Sequence, residues 1–149
     1  MSNKQKNARQ RLIESALQLF AQGGVTETTT RQIADLAGVN EVTLFRHFGS
    51  KHGLLLAVLE EAKVFTEMGQ ALKQRSSQIQ GFAPALQAYV EGHLEALEQL
   101  PGFVRSLIGE AGHYPIENRE AIGRGLTQIQ QYTEDYLTNI VTRGQIQTQ

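Results

Sequence analysis

Cysteine is absent from this 149-residue chain, which excludes disulfides, thiolate nucleophiles and cysteine-based zinc sites. Proline occurs only three times, and with 40% hydrophobic and 19% charged residues the composition is that of a globular chain, not a disordered or fibrous one. No apolar run approaches the roughly 18 to 20 residues of a membrane-spanning helix. The segment from Met1 to Lys6 leads into an amphipathic pattern rather than a secretory signal core. Together with the missing cysteine, these absences predict a cytoplasmic protein with no membrane partner. Strand-like alternation is lacking throughout. So are the glycine-rich loops that cradle phosphates and the nucleophile elbow of hydrolases, and the four histidines show no metal-binding spacing. No cofactor or metal is therefore expected, and catalysis by His93, Glu110 or His113 stands only as a rival reading.

Net charge is also nearly absent, at −1, but the total conceals an asymmetry. Through residue 52 there are seven basic and four acidic residues (+3), whereas the remainder carries seven basic and eleven acidic (−4). A basic head on an acidic body assigns contact with a polyanion to the head.

What is present is helical periodicity. Ala8, Leu12, Ile13, Ala16, Leu17 and Phe20 share one face of a first helix that Gly23 and Gly24 end. Thr29 is placed to cap a short second helix with Ile33, Ala34 and Ala37 inside, closed by a left-handed Gly38. Asn40 can cap a third helix in which Leu44 and Phe48 face the same neighbour, and Gly49 ends it. Ser50 can cap a fourth, whose pattern runs from Leu54 to Leu72 before Ser76, Ser77 and Gly81 interrupt it. Further helices follow through Phe82 to Leu97, from Pro101 through Ala111, and from Pro115 through Val141. The expected fold is all-α: a three-helix head, residues 1–52, joined by a long fourth helix to a helical body, residues 53–149.

Two short helices joined by a turn of about three residues, with a preceding helix to pack against, form a helix-turn-helix. The second must expose a face. Between Asn40 and His47, the residues not needed for the core are Glu41, Val42, Thr43, Phe45, Arg46 and His47, a mixture of donors, acceptors and apolar groups suited to base edges in a major groove. The stretch from Thr29 to Lys51, with Ile33-Ala34, Ala37-Gly38-Val39, Thr43-Leu44, His47-Phe48 and Ser50-Lys51 in register, resembles the DNA-binding signature of the tetracycline-repressor (TetR) family. The resemblance covers roughly residues 8 to 60.

That resemblance implies a homodimeric repressor that binds a palindromic double-stranded DNA operator and is released from it by a small-molecule effector. It places Thr30, Arg31 and Lys51 at phosphates and Thr43, Arg46 and His47 in the groove, with His47 serving either a phosphate or only the helix end. Three residues depart from the family pattern. Val42 stands where glycine is frequent and offers methyls, for example to a thymine. Phe45 replaces the usual tyrosine and lacks a hydroxyl for phosphate. Glu41 adds a negative charge that either selects cytosine or penalises non-specific binding.

In the body, Phe65, Met68, Tyr89, His93, Phe103, His113, Tyr132 and Tyr136 are candidates to line an effector pocket, the alternative for each being ordinary core. A helical partner-binding module without DNA binding is the third reading, kept open by Glu41 and Phe45. Members of the family usually continue with further helices that make the dimer interface. After Gly144 the polar Gln145-Ile146-Gln147-Thr148-Gln149 carries no periodic face, so a short or cut C-terminus is expected.

Overall fold

The computed structural model describes residues 6–62, 65–66, 82–99 and 101–142, and all regular structure among them is helical. Seven helices are delimited among the described residues: α1 (Ala8–Gly23), α2 (Thr30–Ala37), α3 (Glu41–Phe48), α4 (Lys51–Glu61), α5 (Phe82–Gln99), α6 (Pro101–Gly109) and α7 (Ile116–Thr142). A 3₁₀ turn, Ala111–His113, lies between the last two.

The head is shaped by its caps. Asn7 and Gln10 close a capping box on α1, the Asn7 side chain accepting from the Gln10 amide at 2.8 Å while Gln10 accepts from the Asn7 amide at 3.2 Å. Thr29 and Gln32 do the same on α2. Asn40 accepts from the Val42 amide at 2.9 Å, and Ser50 from the Gly53 amide at 3.0 Å. These side chains satisfy first-turn amides that have no intrahelical partner, so each helix starts where the cap stands. Gly38 ends α2 at φ 65°, which turns the chain into α3 within three residues. At φ 88°, Gly24 has a second constraint, since a Cβ there would lie 2.9 Å from Ser106 Oγ.

Two compact units divide the chain. One comprises residues 1–63 and 100–122. Its core collects Leu12, Ala16 and Phe20 of α1, Ile33 and Ala34 of α2, Leu44 of α3, and Leu54, Leu55 and Val58 of α4, all of them buried. Phe103 of α6 is buried as well, and α1 packs on α2, α4 and α6. Phe48, expected inside, is half-buried, with the Arg9 guanidinium 5.3 Å from its ring centroid. Arg9 is also paired with Glu61, tying the first turn of α1 to the last turn of α4.

The other unit comprises residues 64–99 and 123–149. Ala85, Tyr136 and Ile140 form its buried cluster, with Tyr89 packed against them. Tyr136 donates to the Ala85 carbonyl at 2.8 Å, and the Tyr89 and Thr133 hydroxyls meet at 2.5 Å. Because Thr133 gives its own proton to the Ile129 carbonyl, Tyr89 is the donor in that pair. The Phe65 ring lies where a side chain at Gly125 would project.

Helix ends differ from the expected pattern at three places. Helix α4 stops at Glu61, with Ala62 at φ −75°, ψ 0°, whereas the apolar spacing continues to Leu72. Phe65 and Thr66 are helical beyond this interruption, and the expected end near Leu72 lies outside the described residues. Apolar spacing persists across the break because Val58 is buried in the first unit and Phe65 in the second, so both flanks need inward-facing residues. Helix α6 ends at Gly109 rather than at Ala111, and the chain tightens into the 3₁₀ turn. Pro115 caps α7 instead of opening it, its carbonyl accepting from the Arg119 amide at 3.1 Å.

Candidate nucleic-acid interface

Helix α3 is held from behind by a single fully buried side chain, Leu44, with Phe48 one turn later half-buried. Everything between them turns outward. Val42 is 71% exposed and Phe45 45% exposed, Arg46 and His47 are exposed, and Thr43 and Glu41 are half-buried. Large apolar side chains left in solvent beside a cation lie among the groups that complement a base edge, with its methyl, acceptor and donor positions. Arg46 and His47 occupy the last turn of α3, where the helix dipole favours positive charge.

The first turn of α2 lies close to the start of α3. Thr30 is half-buried, and its hydroxyl donates to Glu41 Oε1 at 2.5 Å, while Arg31 is exposed one residue on. Eight of the nine sequence-predicted DNA residues thus belong to α3 and the first turn of α2. Lys51 is used differently. Expected at a phosphate, it directs its ammonium to the carbonyls of Val25 (2.8 Å), Thr26 (3.2 Å) and Thr28 (3.0 Å). Those three bonds match the three protons an ammonium has to give.

Lys51 thereby fastens the loop between α1 and α2 from one side. From the other, Ser106 of α6 accepts from the buried Val25 amide at 2.9 Å, and Arg105 donates to the Gly23 carbonyl at 3.2 Å. Just beyond α6, the Glu110 carboxylate accepts from Thr26 at 2.6 Å and from the Tyr114 hydroxyl at 3.1 Å. Chiefly the Thr26 hydrogen bond holds Glu110 below the usual carboxylate range, with smaller help from Tyr114, Ser106 and the Arg105 charge. Burial, followed by the neighbouring Glu110 charge, pushes the Tyr114 phenol up to about 12, so it remains a donor. The Asn118 amide donates to the His52 carbonyl at 2.9 Å, and the His52 and Tyr114 rings lie 5.6 Å apart.

None of Ser106, Arg105, Glu110 or Thr26 was singled out for this role from the sequence. Their partners lie about eighty residues away along the chain, beyond the reach of any local pattern. Only Gly24 hinted at a close approach, as a second glycine where one suffices to end a helix.

The effector candidates are divided between the units. Phe65, Tyr89, His93, Tyr132 and Tyr136 fall in the second, whereas Phe103 and His113 fall in the first. Tyr89 stacks on Tyr136 (5.4 Å) and on His93 (5.7 Å), with Tyr132 half-buried on the same helix as Tyr136. Buried His93 Nδ1 has no hydrogen-bond partner among the described residues. In the first unit, Phe103 is core and His113 is exposed on the 3₁₀ turn. Met68 lies outside the described residues.

Residues 12–58, spanning this head from the core of α1 to α4, match the sequence model of the bacterial regulatory proteins of the tetR family. The head of this chain is thus similar to the helix-turn-helix of TetR-family regulators. The HTH-type transcriptional regulator YvkB of Bacillus subtilis is 27% identical to it over 145 residues, which are 93% of this chain and 70% of YvkB. The HTH-type transcriptional repressor AcnR of Corynebacterium glutamicum is 35% identical over 72 residues, covering 45% of this chain and 38% of AcnR. A TetR-family transcriptional regulator from Mesorhizobium loti has the same fold, with a TM-score of 0.73 at 24% identity over 95% of this chain and 71% of that one. Among the described residues, no helix is long and apolar enough to cross a membrane.

Proposed function

We propose that this chain is a TetR-family regulator, a cytoplasmic repressor that binds a palindromic operator as a homodimer, releases it when a small molecule binds, and performs no catalysis. The observation that carries DNA reading is the outer face of α3, where Val42, Phe45, Arg46 and His47 stand exposed on a helix anchored by Leu44. The excess of +3 over the first 52 residues supports it, because phosphate neutralisation supplies much of the affinity for duplex.

Residues 1–52 are assigned to DNA reading and residues 53–149 to effector binding and dimerisation. Thr30 and Arg31 contact phosphates, Thr43, Arg46 and His47 enter the groove, and Val42 and Phe45 supply apolar contacts there. Lys51 acts one step back, by fixing the loop that leads into α2. Effector response is favoured by the bonds from α6 and Glu110 to residues 23–26, since a displacement of α6 would be felt where α2 begins. The repressor direction follows AcnR, a transcriptional repressor 35% identical to this chain over 72 residues. Tyr89, His93 and Tyr136 are the residues assigned to the effector.

Binding-site selection on random duplexes tests the reading. It should return half-sites in two-fold repeat, about 34 Å apart or a multiple of that, and asymmetric unspaced sequences would refute the dimer. Arg46→Ala should cost about 1 to 3 kcal/mol and relax preference at one base pair. An equal loss on every sequence would remove Arg46 from the groove.

A further inference from the structure

We infer that Glu41 restrains DNA binding by holding the Thr30 hydroxyl, so that this side chain reaches a phosphate only after exchanging a carboxylate for it. The inference rests on the proposed DNA reading, within which Thr30 is a phosphate contact. Its own basis is the 2.5 Å hydrogen bond from Thr30 Oγ1 to Glu41 Oε1, between the first residue of α2 and the first residue of α3. A threonine hydroxyl has one proton to give. While Glu41 takes it, no other acceptor can.

The arrangement is built rather than incidental. Thr29 caps α2 through the Gln32 amide and Asn40 caps α3 through the Val42 amide, so both backbones are fixed without help from Thr30 or Glu41. Gly38 turns the chain so that the two helix starts, eleven residues apart, come within one hydrogen bond. Both side chains are half-buried, which strengthens a charge-assisted bond relative to a fully solvated one. Phosphate is the competing acceptor. It carries the same charge as Glu41, so a phosphate arriving at α2 must displace the carboxylate against its repulsion as well as replace its hydrogen bond.

Glu41 on this account lowers affinity for all duplexes. The remaining base contacts of α3 then decide a larger share of which DNA is retained. The cytosine-selecting alternative makes a different prediction, because it confines the effect of Glu41 to one base pair.

A double-mutant cycle tests the competition, using the full chain and fluorescence anisotropy on a random duplex and on a selected operator. Circular dichroism provides the check on folding. Glu41→Ala should tighten binding to both duplexes several-fold. Thr30→Val should weaken wild-type binding, by up to about twofold, because the lost phosphate contact is only partly offset by the bond that no longer needs breaking. In the Glu41→Ala background the same change should weaken binding at least about threefold. Glu41→Gln, which keeps an acceptor for Thr30 without the charge, should fall between wild type and Glu41→Ala. Equal effects of Thr30→Val in both backgrounds would overturn the inference in favour of plain charge repulsion, as would identical Glu41→Gln and Glu41→Ala affinities. A gain limited to operators altered at one base pair would establish cytosine selection instead. If the wild-type chain bound no duplex, the DNA reading itself would fail, an outcome separate from these.

Discussion

Side-chain chemistry on α3 sets what this head can recognise. Phe45 projects with 45% of its surface exposed, yet its ring has no group to give a phosphate. Adding one should help. Phe45→Tyr is expected to strengthen operator binding by about 1 kcal/mol, roughly fivefold, seen as a lower Kd at fixed salt. Unchanged affinity would mean that no phosphate lies beside residue 45. Lys51 gives the opposite lesson, since its charge is directed at three carbonyls of its own chain. Lys51→Met should therefore lower stability by about 1.5 to 3 kcal/mol in urea unfolding, while the salt dependence of DNA binding stays as it was. A salt slope reduced by about one unit, with stability intact, would return Lys51 to a phosphate.

At the scale of elements, the loop from Gly24 to Thr28 is the point where α1, α4 and α6 act together. Val25 is buried, and its amide has the Ser106 hydroxyl as its acceptor. Ser106 itself is fully buried. Ser106→Ala removes that acceptor and leaves a buried donor unmet, a loss of about 1 to 3 kcal/mol. Operator affinity should fall as well, because the loop sets where α2 begins. A thermal melt and an anisotropy titration on the same variant separate the two effects. If stability drops while affinity of the folded fraction holds, α6 supports the head without informing it. Gly24 shows why the contact is close: at φ 88°, and with Ser106 Oγ 2.9 Å from where a Cβ would stand, only glycine fits.

For the whole molecule, two hydrogen-bonded carboxylates predict a response to acid. Glu61 is held below its ordinary value of 4.5, first by the hydrogen bond from Arg9, and Glu110 by that from Thr26. A carboxylate depressed in the folded state stabilises the fold above its unfolded value and loses that contribution as pH falls through the folded one. The stabilisation is thus complete near neutrality and declines below about pH 4.5. The double variant Glu61→Gln, Glu110→Gln should be less stable than wild type at neutral pH, with the two melting midpoints converging on acidification. Parallel curves would show that neither pair contributes.

The sequence by itself determined where the head's helices start and stop and which faces they bury. Each cap, at Asn7, Thr29, Asn40 and Ser50, acts within three residues of itself, and Leu12, Ile33, Leu44 and Leu54 follow a helical period that needs no knowledge of the rest of the chain. The signature from Thr29 to Lys51 was legible for the same reason. Tertiary structure alone decided that Lys51 faces inward, that α6 docks on the loop before α2, that Glu41 takes the Thr30 hydroxyl, and that the aromatic candidates part into two units. Those outcomes join residues eleven to about eighty positions apart. A hydrogen bond at that separation depends on where the whole backbone has carried its two ends, and helical periodicity holds no record of it.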